Sequence, residues 1–319
     1  MPRIDALRRA LLLSALTLAT HASAQNLGSK PIRLVVPFPP GGTSDMMGRL
    51  LASSLSERLK QTVIVENKPG AGTVIGTDAV AKSAPDGHTL LLGTPGLAIN
   101  AAMRKGSLPY STEGDLEAVC DIAELPMVIF ASTASGFKSL ADVQAAARAQ
   151  AGTVTYGTAG EGSTGHLSMK LVEQASGIRM SHIPFQGSGP SMNALLGGHL
   201  QLNSDTAYLG APHVNSGKVV GIATLAPTRS RLLPQVPTAA ELGVKVDSSA
   251  WYSVFIRRGT PPAVSEQLNA ALRAILQEPK VREALEKDGF NVIGNTAAQS
   301  QARFQTELGK MAAAVRDSQ

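Results

Sequence analysis

Apolar and polar positions alternate along this chain in blocks of two kinds. Short apolar runs, bounded by Gly, Pro, Asn or Asp, predict buried strands; longer stretches with apolar residues three and four apart predict helices. The run Ile32–Val36, interrupted only by Arg33 and stopped by Pro37, is the first strand. A helix over 44–59 follows, with Met46, Met47, Leu50, Leu51, Leu55 and Leu59 on one face. The alternation continues with a strand at 63–66, a turn at 67–72, a helix ending near Pro85-Asp86-Gly87 and a strand at 89–92. Strand, loop, helix and strand in this order read as a parallel α/β sheet.

Two apolar segments at 119–122 and 127–130, separated by Glu124-Leu125-Pro126, interrupt that pattern. It then restarts with a helix at 140–150, a strand at 154–156, a helix from Thr164, a strand at 180–183 and a helix near 190–196. Strands at 200–202 and 219–223 flank a helix near 211–216. A Pro-punctuated run at 227–237 precedes a strand at 251–256 and helices at 263–277, 280–287 and 297–316. Two α/β sets imply two lobes. The last three helices have no strands of their own, so they are expected to pack back on the first set. The chain then crosses twice, near 127–131 and 251–256, forming a clamp with a paired hinge.

Two strand-to-helix loops hold the candidate chemistry. Pro37-Phe38-Pro39-Pro40-Gly41-Gly42-Thr43-Ser44-Asp45 has a proline-stiffened entry and two glycines that expose backbone, and Thr43, Ser44 and Asp45 are N-cap candidates. Unpaired N–H groups at a helix start favour an anion. Thr158-Ala159-Gly160-Glu161-Gly162-Ser163-Thr164-Gly165-His166 occupies the same kind of place. It contains G-x-G-x-x-G, but the following strand ends in Ile183-Pro184-Phe185-Gln186, with no acid for a ribose hydroxyl, which leaves a small-anion loop. Asp205 is expected at a strand's carboxyl end, either facing a ligand or capping the next helix; Asp45 carries the same ambiguity.

Composition narrows the class. Arg3, Arg8 and Arg9 precede an apolar run and Ala22-Ser23-Ala24, the pattern of an export leader cleaved after about Ala24. Without residues 1–24, 26 basic residues stand against 23 acidic ones, scattered and with few aromatics, which argues against nucleic acid. Cys120 is the single cysteine, expected as a buried, inert thiol. The histidines show no zinc-ligand spacing, so neither a metal nor a cofactor is expected. Ser163 is outside G-x-S-x-G; the rival reading is a hydrolase on the same two-lobed plan, with Ser163, His166 and Asp205 as its hydrolytic set.

Together with Lys30–Phe38, Asn67-Lys68-Pro69-Gly70-Ala71-Gly72, Pro85-Asp86-Gly87, Leu195-Leu196-Gly197-Gly198 and Val236-Pro237-Thr238, these loops resemble the Bug-type periplasmic solute receptors of tripartite tricarboxylate transporters. The resemblance spans essentially the whole chain after the leader. It implies a type II periplasmic-binding-protein fold of two α/β lobes joined by a two-strand hinge. Residues 25–130 plus 251–319 would form one lobe and 131–250 the other. It implies a ligand such as a dicarboxylate, an acidic amino acid or an aromatic carboxylate, held by Phe38, Gly41, Gly42, Thr43, Asp45, Thr158, Ala159, Ser163, Thr164, His166 and Asp205. An integral-membrane transporter, or a sensor kinase, is the implied partner, and the receptor is expected to be a periplasmic monomer without enzymatic activity. Asn203-Ser204, Phe185-Gln186-Gly187 and Arg257-Arg258 depart from the family pattern, the first two toward a more polar and less basic pocket.

Overall fold

The computed structural model describes Leu27 and residues 29–316. The expected leader lies outside the described residues. In the first lobe, β1 (Ile32–Val36) pairs in parallel with β2 (Val63–Asn67) and β3 (Thr89–Gly93). Crossover connections run through α1 (Thr43–Leu59) and α2 (Val74–Ala81). The α1 face that packs inward carries Met47, Leu51 and Leu55, all fully buried; Met46, Leu50 and Leu59 are only partly covered. β3 pairs antiparallel with β9 (Ser249–Arg257), the returning strand. In the second lobe β5 (Thr155–Thr158) lies parallel to β6 (Ser181–Pro184) and β7 (Leu202–Thr206).

The two lobes share β4. The expected break at Glu124-Leu125-Pro126 does not occur: Leu116–Ser132 is one strand of 17 residues. Its first part pairs with β9 and its last part with β7 and with β8 (Val219–Thr224). Pro126 sits where the partner changes, opposite Ser249 at the start of β9. A proline there lacks the N–H that a ladder would use, and the next amide, Met127, donates to Ser248 O at 3.3 Å. The result is a two-strand hinge between two α/β lobes.

Three elements escape the sequence pattern. These are α3 (Gly96–Met103), the single turn α4 (Thr112–Asp115) and the two-residue β10 (Asn291–Val292) on the edge of β4. The remaining helices are α5 (Leu140–Ala149), α6 (Thr164–Ser176), α7 (Ser188–Leu196), α8 (Ala207–Asn215), α9 (Pro262–Gln277), α10 (Pro279–Lys287) and α11 (Ala297–Arg316). α9 and α11 pack on β4, and α11 also lies along α3. Arg257 and Arg258, which depart from the family pattern, tie the end of β9 to α4. Arg257 pairs with Asp115 at 2.8 Å, and Arg258 donates to Glu113 O and Leu116 O. Cys120 is buried, and burial pushes its thiol up to about 12, which leaves it inert at neutral pH.

Candidate functional site

The first loop leaves β1 through Pro37 and turns at Gly41, whose φ of +90° suits glycine. Gly42 is the N-cap of α1, with extended backbone and no side-chain cap. Thr43, Ser44 and Asp45 are therefore the first helical residues, not caps. Asp45 reaches backward, accepting from Gly41 N at 3.1 Å, Arg49 Nε at 3.0 Å and Asn67 Nδ2 at 3.0 Å. Burial alone would push its carboxyl up; the hydrogen bonds from Arg49, Asn67 and Gly41 outweigh that and hold it below the usual range. Asn67, at the end of β2, also donates to Phe38 O at 3.0 Å, so one amide braces both ends of the loop.

The second loop is braced by aromatic stacking. Ser163 caps α6, its hydroxyl accepting from His166 N at 3.4 Å. The His166 ring turns away from Ser163: Nδ1 accepts from Gly162 N at 3.3 Å, and the ring stacks on His182 with centroids 4.2 Å apart. His182 in turn stacks on Tyr156 and shares a 2.8 Å hydrogen bond with Thr158 Oγ1, which also accepts from Gly160 N. Burial pushes both imidazoles down, His182 to about 4, so the stacked pair is neutral at neutral pH. A charged pair at that separation would repel and loosen the loop.

Between the loops lies a cleft of about 50 Å³, lined from both lobes and floored by Met127, Ala250 and Tyr252 of the hinge strands. Its walls are helix starts: Thr43 and Ser44 of α1, Thr94 before α3, Thr164 and Gly165 of α6, Ser188 and Gly189 of α7, and Thr206 before α8. Among the described residues, the backbone N–H groups of Thr43, Ser44, Thr164, Gly165, Ser188 and Gly189 donate to no protein acceptor. Five helix dipoles thus present positive ends to a cavity whose lining contains no Lys, Arg or His. The lobes touch across it: Thr43 Oγ1 and Thr206 Oγ1 are 2.8 Å apart. Asn100 Nδ2 of α3 donates to Gly72 O and Gly96 O and reaches Gly162 O of the other lobe at 3.5 Å.

Asp205 is the one carboxyl in the lining. It is the penultimate residue of β7, at the strand's carboxyl end and opposite Val128 of β4, and the N-cap position of α8 falls to Thr206. Its Oδ1 accepts from Thr206 N at 2.7 Å; Oδ2, like the neighbouring Ser204 Oγ, has no partner. Burial pushes its carboxyl up to about 6 despite the hydroxyl of Ser188 and the amide and hydroxyl of Thr206. The Tyr252 hydroxyl faces Ser44 and Thr43, and burial together with the Asp205 charge raises it further from ionisation.

Of the residues singled out in the sequence, Phe38, Gly42, Thr43, Ala159, Ser163, Thr164 and Asp205 line this cleft. Gly41, Asp45, Thr158 and His166 stand behind the wall and shape it. Ser163, His166 and Asp205 are not brought into a relay: the Ser163 hydroxyl accepts a backbone N–H, and the His166 ring bonds Gly162. Ser163→Ala is accordingly expected to cost about 0.5–1 kcal/mol in urea denaturation through loss of a long cap bond. A hydrolase would instead lose turnover with its stability intact. Ser204 faces the cleft, whereas Asn203 turns inward and donates to Ser191 Oγ. Thr94, Tyr252 and the start of α7 were not anticipated. The last repeats the legible signature, with Gly187-Ser188-Gly189 between a strand and a helix.

Residues 47–318 match the family model described as the tripartite tricarboxylate transporter family receptor. Protein BugT of Bordetella pertussis is 36% identical over 304 residues, covering 94% of this chain and 93% of that protein. A UPF0065 protein of Agrobacterium vitis is 35% identical, covering 97% and 90%. The periplasmic binding protein BugD superposes with a TM-score of 0.85 at 31% identity, covering 91% of this chain and 98% of BugD. A R. palustris protein solved with adipate gives 0.86 at 30% identity, covering 92% and 98%. MatC from Rhodopseudomonas palustris, solved with bound malate, gives 0.85 at 29%, covering 90% and 99%. With the two lobes and the paired loops already described, these matches show that the chain belongs to the tripartite tricarboxylate transporter receptor family of periplasmic solute-binding proteins.

Proposed function

We propose that this protein captures a small organic carboxylate between its lobes and delivers it to a membrane transporter of the tripartite tricarboxylate type. The observation that carries the reading is the convergence of five helix starts, from both lobes, on a cleft with no cationic side chain. Free backbone N–H groups and aligned dipoles favour an anion, and a carboxylate touching both walls favours the closed lobes over the open ones. The adipate and malate of the two Rhodopseudomonas structures support the same ligand class. In this reading the carboxylate meets the amides of Gly42, Thr43, Ser44, Thr164 and Gly165 and the hydroxyls of Ser163 and Ser188, while Asp45, Thr158 and His166 hold the loops in place. The lobes comprise 25–130 with 251–319, and 131–250, and the leader is removed after about Ala24.

Native mass spectrometry of the protein purified from its own host is the direct test, followed by identification of the released ligand and calorimetry with that compound. The expected result is a mass increment that dissociates as a carboxylic acid. A neutral apolar or cationic ligand would overturn the reading.

A further inference from the structure

Beside the cleft the two lobes meet at a seam in which backbone packs on backbone. One side belongs to the first lobe: Gly72 in the turn before α2, Gly96 at the start of α3, and Asn100 one turn further on. Glu161 and Gly162 of the second loop form the other side. A Cβ on Gly72 would overlap Glu161 O, and one on Gly162 would lie 2.7 Å from Asn100 Oδ1. A Cβ on Gly96 would lie 3.3 Å from Gly162 O and as close to Thr73 Cγ2. The lobes come this near because all three positions lack a side chain. None of the five residues lines the cleft, yet Thr94, Ala159 and Ser163, within two positions of them, do. The closeness of the seam therefore sets the spacing of the jaws.

Asn100 organises the first-lobe side. Its side chain is fully buried, and Nδ2 donates to Gly72 O at 2.6 Å and Gly96 O at 2.7 Å, with Gly162 O of the other lobe at 3.5 Å. The first bond fixes a strained turn. Ala71 at φ +47° and Thr73 at φ +86° are left-handed non-glycine residues on either side of Gly72. Across the seam Gly162 is anchored by its own amide, which donates to His166 Nδ1 at 3.3 Å. Two fixed edges thus meet with no side chain of their own to rearrange. Asn100 Oδ1 opposes the contact: it faces Gly162, is buried and has no donor, so water would satisfy it once the lobes part. Packing and an orphaned oxygen pull in opposite directions, which leaves the contact weak and reversible.

We propose that this seam is a latch that acts without ligand, with Asn100 as its positioning residue, and that it keeps about a tenth or more of the empty protein closed. One consequence rests on the receptor reading of the cleft. A ligand that binds the closed form has less closure left to drive, so apparent affinity scales with the closed fraction.

The interlobe distance in the leaderless protein, dialysed free of co-purified small molecules and shown empty by native mass spectrometry, tests the latch. Cys120 is buried and inert, so spin labels attach selectively at Ile75→Cys and Ile183→Cys, exposed positions on opposite lobes. Double electron–electron resonance should resolve two distances, with the shorter one holding about a tenth or more of the population. Asn100→Ala, which frees the strained turn, should cut that share about tenfold. Gly96→Ala should cut it about fivefold by overpacking the seam. Residue 96 is helical and not left-handed, so the Gly96→Ala melt should hold or rise, since alanine favours a helix over glycine. A purely structural role would lower the melts and leave the distances of the folded protein unchanged. A single open distance in the wild-type background, or variants with the wild-type closed share, overturns the latch. If Asn100→Ala does not fold, the Gly96→Ala comparison decides. No ligand enters these measurements, so failure of carboxylates to bind would overturn the receptor reading and leave the distances as they are.

Discussion

Gly42→Leu is expected to lower carboxylate affinity by about a hundredfold or more while the protein stays folded. Gly42 has φ −96° and ψ 176°, ordinary extended geometry that any residue adopts, so the substitution does not strain the loop. A Cβ there would sit 3.5 Å from Ser188 Cβ, in van der Waals contact across the cleft, and Gly42→Ala should be nearly neutral for closure. The branched end of leucine has nowhere to go but the anion position or the gap between the lobes. It excludes the ligand or props the clamp open. Exchanging glycine for leucine at an N-cap costs about 1 kcal/mol, a melting shift of a few degrees at this size, which is small beside the binding loss. Gly41 is the contrasting control. At φ +90° even alanine is strained, so Gly41→Ala should lower stability and affinity together. Calorimetry and thermal melts on the three variants separate these outcomes, and a Gly42→Leu protein with wild-type affinity would place the ligand elsewhere.

The parallel sheets were legible because their strands are buried on both faces and read as apolar runs; Thr89–Gly93 is buried at every position. The same physics hid α3. Its sequence, Gly-Leu-Ala-Ile-Asn-Ala-Ala-Met, has no polar face and no side-chain cap, because α11 covers one side and the cleft architecture the other. The continuity of β4 was hidden for a different reason. Glu-Leu-Pro reads as a break unless a second strand is known to change partners at that proline. In the site, glycine spacing exposed the two loops, since backbone that approaches a ligand must shed side chains wherever it lies. Tyr252 and Asn67 gave no such sign, for their roles exist only once β9 and β2 deliver them to the start of α1. The resemblance alone placed His166 among the ligand-holding residues. Its ring belongs to a stack with His182, sixteen positions along the chain and in register with Tyr156 on the neighbouring strand.

Asp205→Asn is expected to stabilise the protein at neutral pH by about 3 kcal/mol and to flatten its pH profile. The carboxyl ordinarily titrates near 3.8 and is pushed by burial up to about 6, so the folded state holds its proton more tightly than the unfolded chain. The corresponding stability is fully present below about pH 3.8 and is lost as pH rises to about 6; above that the protein carries a buried anion with an unpaired Oδ2. Asparagine keeps an oxygen for the Thr206 amide and removes the charge. Wild-type and variant stabilities, followed by urea denaturation from pH 4 to 8, should coincide at the acid end and diverge through pH 6. Binding should follow the same titration. Among the cleft's lining residues only Asp205 and Tyr252 can ionise, and Tyr252 stays protonated throughout this range. A carboxylate entering beside an ionised Asp205 meets a like charge, whereas a protonated Asp205 can donate to it. Wild-type affinity should therefore fall as pH rises from 5 to 8, and the variant's should stay level. If both proteins show the same pH dependence, Asp205 is already neutral or already paired when the ligand arrives, and the incoming carboxylate does not meet its charge.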